Sequence, residues 1–98
     1  MTIDVLPRAT DDLVAGYHFY EQKEQGLGSY FRASLFADVD ALRVTAGVHT
    51  LVWGYHRSVS KKFPFAIYYR VRGEVAQVHA ILDCRRDPEF LQRTLENR

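Results

Sequence analysis

The chain has 98 residues and a mass of 11.3 kDa, with 47% hydrophobic and 26% charged residues and a formal charge of +1. A chain of this size buries roughly 60–65% of the surface its unfolded form exposes, enough for one core, so a single domain over residues 1–98 is expected. The apolar fraction excludes a wholly disordered chain, and no apolar run reaches the roughly 18–20 residues of a membrane span, which makes the cytoplasm the default compartment and leaves no membrane partner to expect.

Thr2-Ile3-Asp4-Val5-Leu6 alternates apolar and polar residues before Pro7 and predicts a short strand. From about Ala9 to Gln25 the apolar positions Ala9, Leu13, Tyr17 and Tyr20 recur at helical spacing, and Asp11 and Asp12 suit the positive end of that helix. Gly26-Leu27-Gly28 breaks it, Ser29 is a candidate N-cap, and Phe31, Leu35, Val39 and Leu42 mark a second helix. So short a glycine turn predicts an antiparallel αα-hairpin.

After Gly47 the period changes to two. Leu51, Trp53 and Tyr55 read as one strand with a large apolar face, which puts Trp53 mid-strand in the core. Phe65, Ile67, Tyr69 and Val71 read as the core face of the next strand, with Ala66, Tyr68, Arg70 and Arg72 on a wetter face. Arg72-Gly73-Glu74 predicts a tight hairpin into a third strand that alternates Ala76, Val78, Ala80 and Leu82 with Gln77, His79 and Ile81. Asp87-Pro88 opens a final short helix with Leu91 and Leu95 on its apolar face. The predicted fold is α+β, in the order β–αα–βββ–α, with the helical hairpin covering one face of a small, mostly antiparallel sheet.

Charge is unevenly spread. Residues 1–56 carry four Lys/Arg against seven Asp/Glu, a net −3, while residues 57–98 carry nine against five, a net +4. Cys84 is alone, so it forms neither an internal disulfide nor a cysteine metal site. His18, His49, His56 and His79 lack the spacing of metal ligands, the serines lack nucleophile-elbow glycines, and Gly26-x-Gly28 lies between two helices rather than at a nucleotide loop. No metal and no cofactor is expected. The informative feature is the interleaving of Tyr55, Arg57, Lys61, Lys62, Phe63, Tyr68, Arg70 and Arg72 over neighbouring strands, followed by Arg85-Arg86. Such a face serves protein docking and nucleic-acid binding equally well, and Arg85 and Arg86 also have Asp83 and Asp87 as neighbours for salt bridges.

The residues Phe19-Tyr20-Glu21, Gly26-Leu27-Gly28 and Phe31, the run Lys62-Phe63-Pro64-Phe65-Ala66-Ile67-Tyr68-Tyr69-Arg70-Val71, and Asp83-Cys84-Arg85-Arg86-Asp87-Pro88 together resemble the RelE/ParE superfamily of toxins, in the same order and over nearly the whole chain. The resemblance implies the toxin of a bacterial type II toxin–antitoxin, plasmid stabilisation system, neutralised by a cognate antitoxin in a hetero-oligomer. It implies one of two targets: the ribosome with its messenger RNA, or DNA gyrase. RelE-type ribonucleases stabilise the developing phosphorane with fixed cations and often move a proton with a C-terminal tyrosine. Arg57 and Arg85 fall where two such cations would lie, with Lys61 and Lys62 nearby. Ala66 stands where the enzymes have an arginine, however, and Phe90 or Leu91 occupies the tyrosine position. The sequence is therefore more similar to the ParE-like branch, a binder of a protein target such as gyrase. A ribosome-dependent endoribonuclease using Arg57, Lys61, Lys62 and Arg85 is the alternative, and an inactive orphan toxin a further one. The expected target- or antitoxin-binding residues are Tyr17, Tyr20, Trp53, Arg57, Tyr68, Arg70, Arg85 and Arg86.

Overall fold

Thr2–Val5 forms strand β1, and in the computed structural model, which describes all 98 residues, Pro7 begins the next element rather than merely ending this one. It occupies the first turn of helix α1 (Pro7–Lys23), where the missing N–H has no intrahelical partner to lose. The helix thus starts two residues before its apolar spacing does. Asp11 and Asp12 lie beyond the first turn and do not serve the helix dipole as expected. Asp12 instead accepts hydrogen bonds from the Ile81 N–H at 3.0 Å and from both terminal nitrogens of Arg98 at 2.8 and 2.9 Å.

Gly26, at φ +90°, turns the chain into α2 (Leu27–Asp40). Ser29 lies inside α2 and does not cap it. The open N–H groups are met across the hairpin by Glu21, whose carboxylate accepts from Gly26 at 3.0 Å and from Gly28 at 2.9 Å. This side chain does the work usually given to an N-cap, from the partner helix. Gly16 and Gly28 leave no room for a side chain between the two helices. A β-carbon on Gly16 would lie 2.5 Å from the Phe31 ring, and one on Gly28 would lie 2.6 Å from the Tyr17 carbonyl oxygen. After a break at Ala41, Leu42 belongs to a single turn, α3 (Leu42–Thr45), and is buried as its spacing predicts.

The sheet has five strands in the order β1-β5-β4-β3-β2, with β1 parallel to β5 and the other pairs antiparallel. The meander has four strands rather than three. The segment read as one strand is a hairpin, β2 (Leu51–Val52) and β3 (Tyr55–Val59), because Trp53 and Gly54 both adopt positive φ, +52° and +82°, and reverse the chain. Trp53 is therefore at a hairpin tip, 38% exposed, and not in the core. Strand β4 (Phe65–Arg72) and strand β5 (Val75–Asp83) join through Gly73-Glu74, as predicted. Between Tyr68 and Tyr69 their register shifts: Tyr68 pairs with Ala80 and Tyr69 with Val78, which leaves His79 as the extra residue of a bulge. The bulge swaps the faces of β5 midway. Ala76, Val78 and Ile81 join the core under the helical hairpin, while Ala80 and Leu82 turn to the other side, contrary to simple alternation.

Helix α4 (Pro88–Glu96) begins as predicted, with the Asp87 carboxylate accepting from the Glu89 N–H at 3.0 Å. It changes the character of the sheet face opposite the hairpin. Leu95 packs with Tyr55, Ala66, Tyr68 and Ala80 into a second apolar cluster, and Tyr68, assigned to a wet face by alternation, is 1% exposed. The main core lies on the hairpin side, where Phe31, Phe63, Phe65 and Tyr20 form one aromatic group with ring centroids 4.9–6.2 Å apart. Two apolar faces on one sheet follow from the near-continuous apolar run of β4, which is the pattern of a strand covered on both sides.

Candidate functional site

The first site lies along the helical hairpin. Val14 and Phe36 stand off the buried stripes of α1 and α2 and are half-exposed, and with Val5, Leu13, Tyr17 and Arg32 they line an apolar groove of about 400 Å³. Val5 and Phe36 also line a second hollow beside Ile3, Val39 and Arg43, so the groove continues along β1. Strand β1 is an edge of the sheet. Its Thr2 N–H and the Leu6 N–H bond to Glu74 and Val78 carbonyls in the β5 segment, so in a parallel ladder the N–H and C=O groups of Ile3 and Val5 face the open side. Tyr17, one of the expected binding residues, lines this groove, half-buried beneath the Arg32 guanidinium, 5.2 Å from its ring centroid. Val14 and Phe36, which line the groove with it, were not among the expected residues. The available signal was large apolar residues outside the periodic core stripe of an otherwise amphipathic helix.

The other expected residues fall into separate groups. Tyr20 is buried in the aromatic core with only its hydroxyl near Arg85 and Asp83; burial raises its pKa above the ordinary value, and Arg85 opposes that shift. Arg85 donates to both Asp83 oxygens, at 3.0 and 2.7 Å, an ion pair that holds Asp83 below the usual carboxylate range. That pairing was foreseen. Arg86 is not paired with Asp87 but lies over the Phe90 ring, 3.8 Å from its centroid. Arg57 donates from Nε to the Tyr68 hydroxyl at 3.3 Å, and this contact raises its pKa first of all. Lys62 sits over Tyr30, 5.4 Å from the ring centroid, and Lys61 is exposed. Of the four cations of a nuclease set, Arg57 and Arg85 are thus already engaged by the protein itself.

Trp53 and Arg70 meet at a third place. The Arg70 guanidinium lies 4.0 Å from the centroid of the Tyr55 ring and its Nε donates to the Gly54 carbonyl at 3.2 Å. Tyr55, Arg70 and Trp53 with Gln92, Leu95 and Glu96 of α4 border a cleft of about 340 Å³. Three of the histidines, His49, His56 and His79, pack against tyrosines of the sheet. Nδ1 of His49 and the Gly47 N–H both meet the Tyr69 hydroxyl, and the His56 ring stacks on the Tyr69 ring. His79 is 9% exposed, and neither ring nitrogen has a hydrogen-bond partner. No group of three or more His, Cys, Asp or Glu side chains converges as metal ligands would.

The fold itself has a solved counterpart. A chain of the structure described as the chromosomal ParDE TA system from P. aeruginosa superposes with a TM-score of 0.74 over 83% of this chain and 92% of that one, at 22% identity. The chain has the RelE/ParE fold. No family model matches the sequence, and neither does any curated protein. The helical hairpin on one face of a mostly antiparallel sheet and the short terminal helix were expected; the parallel pairing of β1 at the sheet edge and the cover that α4 gives to the opposite face were not. No helix is long and apolar enough to cross a membrane.

Proposed function

We propose that the chain is the toxin of a type II toxin–antitoxin pair, acting in the cytoplasm by binding a protein target, DNA gyrase, and held silent by a cognate antitoxin. The observation that carries this reading is the shared fold with a chain of a ParDE TA system, taken with the apolar groove beside the open β1 edge. A groove walled by Val14, Tyr17 and Phe36 takes the apolar face of a helical segment, and the unpaired backbone groups of Ile3 and Val5 take an extended one. Arg32 on the groove wall favours an acidic antitoxin segment.

The sequence departures at Ala66, Phe90 and Leu91 support a binder over a nuclease. Ala66 and Leu91 are buried, and Phe90, though 39% exposed, has no group that can move a proton. Inducible expression with two separate readouts tests the reading. The expected result is growth arrest with relaxed plasmid topoisomers and intact transcripts. Cleavage of messages on ribosomes would replace it with the endoribonuclease reading, and normal growth would replace it with that of an orphan domain.

A further inference from the structure

Trp53 is the residue at which side chain and backbone disagree most. It and Gly54 are the two central residues of the β2–β3 hairpin and both have positive φ. This is the geometry of the mirror-image turns that Asn-Gly fits best, and an aromatic residue there is strained. Burial does not repay the strain, because the ring stays 38% exposed. What the position does achieve is to stand the indole at the mouth of the cleft between the hairpin and α4.

Arg70 is prepared beside it. Stacking on Tyr55 and the Nε bond to Gly54 fix the plane of its guanidinium, and both terminal nitrogens are free of protein acceptors. A fixed guanidinium edge matches a carboxylate with two parallel hydrogen bonds. Trp, Tyr and Arg around a concave pocket are also the residues that dominate binding energy at protein interfaces. Resting on the toxin reading above, we infer that this cleft grips the protein target, which presents a carboxylate side chain to Arg70 and a neighbouring apolar side chain to Trp53. A nucleic acid fits less well. The Tyr55 ring is already covered by Arg70 and its hydroxyl is spent on the Leu95 carbonyl at 3.1 Å, so Tyr55 offers no open face on which a base could stack. The antitoxin groove opens along β1, at the other edge of the sheet.

Trp53→Asn separates function from folding, because it removes the ring while giving the turn its preferred residue. Arg70→Glu inverts the charge, and Arg70→Gln replaces it if the first variant melts early. The three are induced in cells beside the wild type, and the purified proteins are melted. Purified gyrase is titrated against each protein that retains Trp53, with that single tryptophan labelled as 5-fluorotryptophan so that one fluorine resonance reports on the cleft. The expected result is at least a ten-fold loss of growth arrest in each variant, an unchanged or higher melting temperature for Trp53→Asn, and a resonance that shifts with gyrase in the wild type but not in Arg70→Glu. Variants that arrest growth like the wild type overturn the cleft assignment alone. A wild type that does not arrest growth overturns the toxin reading and the cleft together. Loss in Arg70→Glu of binding to a single-stranded RNA oligonucleotide, with the gyrase titration silent, would assign the cleft to nucleic acid and overturn the carboxylate partner.

Discussion

Gly28 is where the hairpin has no room to give. An added methyl would press on the Tyr17 carbonyl oxygen at 2.6 Å and on the Glu21 β-carbon at 2.9 Å, and neither has a rotamer to escape into. Gly28→Ala is therefore expected to destabilise the fold by about 1–3 kcal/mol, the usual cost of overpacking, read as a lower urea midpoint. His79 makes a prediction of a different kind. Burial lowers its pKa below the ordinary 6.5, and the positive charges of Arg70, Arg72 and Arg98 push in the same direction. Tyr55 packs on its ring from β3, and Asp12 of α1 faces Arg98, whose guanidinium also donates to the His79 carbonyl. The folded chain thus holds this imidazole neutral while the unfolded chain protonates it near pH 6.5. Its contribution to stability is complete above that pH and falls away as the pH drops through it. The urea midpoint of the wild type should fall between pH 7.5 and pH 5.5, and His79→Leu should flatten that fall. An equal fall in His79→Leu would assign the acid sensitivity to other groups.

At the scale of elements, the Arg98 and Asp12 pair ties the segment after α4 to α1 across 86 residues of sequence. Both side chains are largely buried, at 12% and 15% exposure, and Asp12 also holds the Ile81 N–H of β5. Removing one partner leaves the other charge buried, so Arg98→Ala is expected to cost about 2–4 kcal/mol. Amide exchange should then accelerate in α4 and β5 ahead of the rest of the sheet. This tie was not legible in the sequence, where Asp12 reads as a helix-dipole residue, because its partner is fixed only by tertiary packing. The helices themselves were legible, since Leu13, Phe31, Leu35, Val39 and Leu95 keep a strict spacing that burial enforces. Two features hid within an unbroken alternation. Trp53-Gly54 continues the period-two pattern while reversing the chain, and it lacks the Asn or Asp that announces such a turn. The bulge at His79 inverts half of β5 without any glycine to mark it. Tyr68 was misplaced for a third reason: period two tells which face a residue is on, but not that α4 covers that face.

On the scale of the whole molecule, the charge of +1 conceals an uneven spread of charge over a sheet that carries one concave surface at each edge. The apolar groove follows β1, while the Trp53 and Arg70 cleft adjoins the β2–β3 hairpin. Four strand spacings separate the two edges, about 19 Å. The groove is formed by residues 1–56, whose net charge is −3, and the net +4 of residues 57–98 includes Arg70 and Arg98, which border the cleft. On the proposed toxin reading, an antitoxin that also covered the basic surface would have to continue beyond the groove round the sheet. The groove is the part of that contact that can be tested alone. Phe36 is 53% exposed and outside the buried core, so Phe36→Glu should leave the melting temperature within about two degrees of the wild type, as surface substitutions do. Buried against an apolar segment of the proposed antitoxin, the same charge would lose its water, and the affinity for that partner should fall at least ten-fold by calorimetry. An affinity that survives Phe36→Glu, and also survives a second charge at Val14, would place the antitoxin on another face of the molecule.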